Sequence, residues 1–504
     1  MTDDLHPRLR AVCDLLLPEV REFAGRHEYD GRVPDYSVAG VRATLARLGQ
    51  GDRLADPHDE AHLAAVEEGL RVAFGELELH RRNPLYHLEV LDLACYDRDY
   101  APADERERAK LAHLARWPDA VDAAVKTLDA VPAPVAAALL TPARGLAAAI
   151  PADAGEVGAA ARAAHERFVA HLSAAAERGP AEIALGGPAL ARLMGAAEAL
   201  DVDLDRLSAR AGAERDRLHE RLAAACAKID GSRPPLELCR ELVRDHPDSD
   251  GVLAASRYWT ERAIEFTRVR DLMPYHDGEC LVGPAPESRR WAMAMMSPAA
   301  PGEADGPSWY HVTPPDPSWP QEDIDHWLEV FSATTLPGIT VHEVAPGHFS
   351  HGRALRRAPT AVRRTLMSAA FVEGWAHYAE ELCVEEGFEA GDPRFEIGVW
   401  LEALIRVTRL ACAIGVHTGA MTVADGAARF TADTTIAGSA ARAEAQRATY
   451  DPTYGRYTWG KLEIMALRER ARTEWDTAYT HKRFHTALLT LGSPALGLIG
   501  NALG

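Results

Sequence analysis

The sequence predicts a mostly α protein, a large helical body with a channel and one small β-sheet near a candidate metal site. Three observations predict this. Long stretches rich in Ala, Leu, Glu and Arg repeat their apolar positions at helical spacing. Short runs with strand character fall in one region only, 279–313. The 504 residues are 47% hydrophobic and 26% charged, which suits a globular chain with a large core. The channel comes from the family resemblance given below.

Taken in order, residues 60–79 read as a helix that Asn83-Pro84-Leu85-Tyr86 breaks. A charged helix follows at 104–116, and Pro118 sits near the start of the next. Residues 119–228 are Ala-rich, punctuated by Pro132, Pro134, Pro142, Pro151 and the Gly186-Gly187-Pro188 turn. Alanine favours helix, so this stretch reads as a series of helices and not as disorder. No fixed period repeats, which argues against a solenoid.

The character changes after Pro235. Helices are expected at 236–245 and 251–269, then strands at 279–282, 291–296 and 309–313 around the Pro/Gly-rich stretch 297–307. The 309–313 strand is expected to pair with an extended peptide by edge addition. Helix resumes at 321–332 and runs to the end, broken at Asp451-Pro452-Thr453-Tyr454-Gly455. We expect a helical half at 1–235 and a catalytic half at 236–504, packed as one continuous body.

A net charge of -20, from 55 basic and 75 acidic residues, opposes nucleic-acid binding. Seven scattered cysteines, with no C-x-x-C pair, read as reduced thiols. The start, Met1-Thr2-Asp3-Asp4, is acidic, and the apolar run at 15–17 is too short for a signal core or a membrane span. The expected location is the cytoplasm, without a membrane partner.

The chemistry centres on His342-Glu343-Val344-Ala345-Pro346-Gly347-His348. Catalytic zinc takes three protein ligands and keeps one position open. His342 and His348 supply two nitrogens, and Glu343 is placed as general base. Zincins space their histidines at i and i+4. Here the spacing is six, roughly 600° of rotation at about 100° per residue, which leaves the side chains about 120° apart. A straight helix therefore aims them at different points. Pro346-Gly347 predicts a distorted helix that brings His348 back. His351, at i+3 from His348, is the rival second ligand.

Further along, Glu373, His377 and Glu380 share one helical face at i, i+4 and i+7. Glu373 is the expected third ligand, with His377 and Glu380 orienting the ligands or lining the pocket. The bland alternatives are a surface His-Glu pair at an ordinary helix end and a solvated His377–Glu380 pair.

The segments H-E-V-A-P-G-H and E-G-W-A-H-Y-A-E resemble the signatures of the bacterial family of unknown function 885, itself similar to gluzincin-type helical metallopeptidases. The resemblance extends to Asn83-Pro84-Leu85-Tyr86, Leu91-Asp92-Leu93, Glu105-Arg106, residues 401–417 and Tyr457-Thr458-Trp459-Gly460-Lys461. It covers nearly the whole chain. It implies a mostly α fold with a long channel, a Zn2+ cofactor and hydrolysis of short peptides.

By position, the resemblance implies His342, His348 and Glu373 as ligands and Glu343 as base. It also implies Tyr457, with Tyr454 as an assistant, as a donor to the oxyanion. Arg409 is implied as a clamp on a substrate carboxylate, and His417 as a substrate-site residue. Two departures stand out. Ala413 replaces an acidic residue four positions after Arg409, and Asp451 to Arg456 replaces the usual P-G-Q before the tyrosine. Both lie around the expected substrate pocket, so a specialised metabolite amide is an alternative substrate.

Two other functions use the same residues. Two histidines and one carboxylate also suit a non-haem iron oxygenase, although such an enzyme has no need of Glu343. A non-catalytic binding protein on the same fold is the other, although a scaffold has no need of all four groups.

Overall fold

The computed structural model describes residues 5–286, 289–290, 292–303 and 306–504. The acidic start Met1-Thr2-Asp3-Asp4, Trp291 and Ala304-Asp305 lie outside the described residues. Helix takes 66% of the residues and strand 3%, so the chain forms the expected helical body with one small sheet.

The sheet has three strands, β1 (Cys280–Pro284), β2 (Ala294–Ser297) and β3 (Ser308–Val312). Their order is β1-β3-β2, with β1 parallel and β2 antiparallel to β3. This corrects the edge-pairing expectation. β3 is the central strand, and both of its hydrogen-bonding edges are already taken. A peptide therefore finds no free edge on 309–313.

The Ala-rich region is packed helix. Gly155–Arg178 lies against Ala133–Gly145 and Trp117–Thr127, and Trp117, Val121, Leu139 and Phe168 form their core. Small alanines let these helices approach closely while a few large side chains fill the seam. A larger core joins Leu190, Leu218 and Cys226 to Trp375, Tyr378, Leu404 and Trp459. Residue 235 therefore falls inside continuous apolar packing. All seven cysteines are free.

Two helix pairs organise the C-terminal half. Leu204–Asp230 packs along Pro393–Thr418, and Ala369–Glu385 packs along Arg456–Trp475. The second pair crosses at two glycines. A Cβ on Gly374 would sit 2.4 Å from the carbonyl carbon of Gly460, and one on Gly460 only 1.8 Å from the carbonyl oxygen of Ala370. Backbone meets backbone there, which only glycine permits. Next to this crossing, the fully buried ammonium of Lys461 reaches Glu214 at 3.0 Å and Glu381 at 2.6 Å. That triad ties three helices together, and removing one partner would strand a buried charge at a cost of about 3–5 kcal/mol.

Candidate metal centre

His342 and Glu343 close the helix Leu336–Glu343, whose residues 336–342 are all buried. The helix stops at Val344, at φ -104 and ψ -89. The Ala345-Pro346 bond is cis, and a new helix, His348–Leu355, starts at His348. The expected distortion is thus a full break into two helices.

Gly347 makes the return possible. A Cβ there would lie 1.8 Å from the carbonyl oxygen of His342, while its N–H donates to the Val341 carbonyl at 3.2 Å. Trp375 clamps the break from the next helix, its indole N–H donating to the carbonyls of Pro346 at 3.0 Å and Gly347 at 3.3 Å. As a result the two imidazoles stand 4.8 Å apart, centroid to centroid, at 86° to one another.

Glu373 completes the cluster from the helix Ala369–Glu385, which Ser368 caps by accepting from the Phe371 N–H. Its Oε2 lies 3.6 Å from His342 Nε2 and 3.5 Å from His348 Nε2. These separations are long for hydrogen bonds. They are close to the spacing of about 3.3 Å between two donors on one tetrahedral ion with bonds of about 2.0–2.1 Å. The donor set therefore fits zinc in both type and spacing. Glu343 is half-buried beside it, and one donor atom each from His342, Glu343 and His348 lie within 4.8 Å of one another.

Behind His342, Nδ1 donates to Glu380 Oε1 at 2.6 Å. This fixes the tautomer and leaves the Nε2 lone pair aimed at the cluster. The other Glu380 oxygen accepts from His377 Nδ1 at 3.1 Å and from Arg406 Nη1 at 3.3 Å. Both residues expected to orient the ligands are thus in one buried network, and Arg406 joins them.

The electrostatics favour a cation. Burial opposes charge on Glu373, yet His342 and His348 hold its carboxyl well below the usual range. Burial likewise works against a protonated His342, but Glu373 and Glu380 raise it to about 9. Burial works to raise the Glu380 carboxyl, and Arg406, His377 and His342 hold it below its ordinary value.

Tyr457, in the first turn of Arg456–Trp475, lies near-parallel to the His342 ring at 6.3 Å. Burial and the charge of Glu373 raise its phenol, so it remains an O–H donor at neutral pH. The guanidiniums of Arg406 and Arg409 sit 5.9 and 5.5 Å from its ring centroid.

Four expectations around the centre are corrected. Arg409 is not free to clamp a substrate, because Glu444 already takes its guanidinium with bonds of 2.8 and 2.7 Å. Tyr454 is fully buried, and its O–H donates to the Glu444 carbonyl at 3.2 Å. His417 is buried with Nε2 on the Ala448 carbonyl at 2.7 Å. His351 is buried, and its Nε2 faces the Ser493 hydroxyl at 3.0 Å. Burial lowers it to about 3, and His348 is the residue that meets His342.

Trp375, Arg406 and Arg447 carry local roles that the sequence reading did not assign. Arg406 lies three residues before Arg409, close to the same helical face, and that spacing is the signal that would have raised it.

The model of the family described as bacterial protein of unknown function (DUF885) matches residues 18–503. A search among curated proteins returned no match. A solved structure of a candidate lipoprotein of unknown function from Shewanella oneidensis is similar at TM-score 0.76 and 19% identity. The match covers 97% of this chain and 96% of that one. A candidate lipoprotein from Colwellia psychrerythraea is similar at TM-score 0.80 and 15% identity, covering 98% of this chain and 96% of that one. At these identities the likeness shows the fold. No helix of the described residues is long and apolar enough to cross a membrane.

Proposed function

The chain belongs to the bacterial family of unknown function DUF885, and on that footing we propose that it is a zinc-dependent hydrolase of peptide or peptide-like amide bonds. The observation that carries this reading is the convergence of His342 Nε2, His348 Nε2 and Glu373 Oε2 beside a glutamate adjacent to the first histidine. His342, His348 and Glu373 would hold the ion. When bound, zinc supplies a Lewis acid that acidifies water and polarises a carbonyl.

The chain's own residues do the rest. Glu343 takes the proton from the attacking water and delivers it to the departing amine nitrogen. Tyr457 donates its O–H to the oxygen on which negative charge develops. Glu380 holds the His342 ring in one orientation, and Arg406 and His377 hold Glu380. Glu343 is what separates this reading from an iron oxygenase or a mere binder, since neither needs a base there.

The test is Glu343→Gln. We expect it to keep its zinc and to lose about 10²- to 10⁴-fold in turnover of short peptides. Full activity with zinc bound would refute the mechanism, and iron as the dominant metal of protein purified without added metal would refute the cofactor. The seven free thiols favour the cytoplasm as the site of action. The lipoprotein names of the two neighbours point to the cell envelope instead, and recovery in an envelope fraction would overturn the cytoplasmic placement.

A further inference from the structure

The turn that departs from the family resemblance builds a charge cluster beside Tyr457. Two arginines share the Asp451 carboxylate. Arg456 grips it at both oxygens, Nη1 at 3.0 Å and Nη2 at 2.6 Å, and anchors to the Thr453 hydroxyl at 2.8 Å. Arg447 has only Oδ2, which Arg456 also uses, through long contacts from Nε at 3.3 Å and Nη2 at 3.2 Å. Its Nη1 meets no hydrogen-bond acceptor among the described residues. Two cations on one anion leave the cluster one positive charge in excess.

Arg447 is also the accessible arginine of the group. Its side chain is 32% exposed, against 8% for Arg406 and 16% for Arg409. The guanidinium stands 5.6 Å from the centroid of the buried Tyr454 ring, which gives it a rigid apolar wall. Its leading charge interaction is with the Tyr457 phenol, and the leading one of Tyr457 is with Glu373. The order Glu373, Tyr457, Arg447 therefore runs outward from the ligand cluster. Two further acids, Glu19 and Glu89, act on the cluster through Arg456.

We propose that Arg447 binds the free C-terminal carboxylate of a short peptide substrate, so that the centre acts on peptides ending in a free acid. Arg456 is the positioning residue, since its grip on Asp451 leaves the Arg447 fork open for a second carboxylate. A planar guanidinium with an unused edge suits a carboxylate better than it suits a neutral amide. The proposal rests on the hydrolase reading and names its substrate class.

Binding tests it without turnover. Zinc-loaded Glu343→Gln protein is titrated by calorimetry with N-acetyl-Ala-Ala, with its C-terminal amide, and with N-acetyl-Asp-Ala-amide, whose one carboxylate is on a side chain. The free acid should bind at least about 10-fold tighter than either amide. Adding Arg447→Gln should level the three, and Arg447→Lys should keep part of the preference. No preference for the free acid, including no binding at all, overturns the proposal. So does equal affinity for the aspartyl amide, or a preference that survives Arg447→Gln. If the glutamine variant does not fold, the lysine variant decides: an undiminished preference counts against us. Failure of the wild type to cut any peptide would sink the hydrolase reading alone, because acid selectivity is read here from binding.

Discussion

Glu380 accepts a 2.6 Å hydrogen bond from His342 Nδ1, and the same carboxylate is held from behind by His377 and Arg406. A metal-binding imidazole held this way is oriented before the ion arrives. We expect Glu380→Gln to weaken zinc binding about 10- to 100-fold, read by competition with a chromophoric chelator. Unchanged affinity would show that His342 needs no such support.

Tyr457 offers a phenol beside the ligand cluster. Tyr457→Phe should lower kcat about 10²- to 10³-fold and leave KM nearly unchanged, as expected for a donor used only when charge develops. A rise in KM with kcat intact would assign the phenol to substrate binding instead.

His348 and His351 are separated by their surroundings. His348→Ala should abolish stoichiometric zinc, measured by elemental analysis. His351→Ala should keep the metal and lower the unfolding midpoint, because it removes a buried contact to Ser493 and packing on Phe371. Zinc lost from the second variant and kept by the first would reverse the assignment.

His27 gives a pH signature far from the centre. Burial works against its charge, but Asp30 and Glu303 raise it to about 9, from 6.5 in an unfolded chain. The folded state therefore binds the proton more tightly. The stabilisation is fully present below about pH 6.5 and is lost as pH rises through about 9. Wild type minus His27→Asn should lose about 1–2 kcal/mol over that window in urea unfolding. A difference that stays flat with pH would mean that His27 remains neutral.

Chemistry carried by neighbouring residues was legible in the sequence. His342, Glu343 and His348 announce themselves by type, and Glu373 and Glu380 by their i and i+7 places on one helical face. The three strands were legible as short bounded runs. What the sequence hid depended on distant partners. Arg409 looked available until Glu444, 35 residues on, was found to occupy it. The 309–313 strand looked like an edge because its pairing with β1 and β2 is a property of the assembled sheet. The Pro346-Gly347 pair signalled a distortion, but its extent followed from how closely Gly347 sits under His342.

The meeting of Gly374 with Gly460 bears on how such proteins diversify. Glu373 precedes one glycine and Tyr457 lies three residues before the other, so the spacing of ligand and phenol is a dimension of the main chain. No side chain lies between the two helices there to act as an adjustable shim. Gly374→Ala should therefore disturb reaction geometry and stability together, whereas exchanges at Arg447, Asp451 or Arg456 should leave that geometry standing. Substrate preference can drift among relatives while the reacting groups keep one fixed gauge.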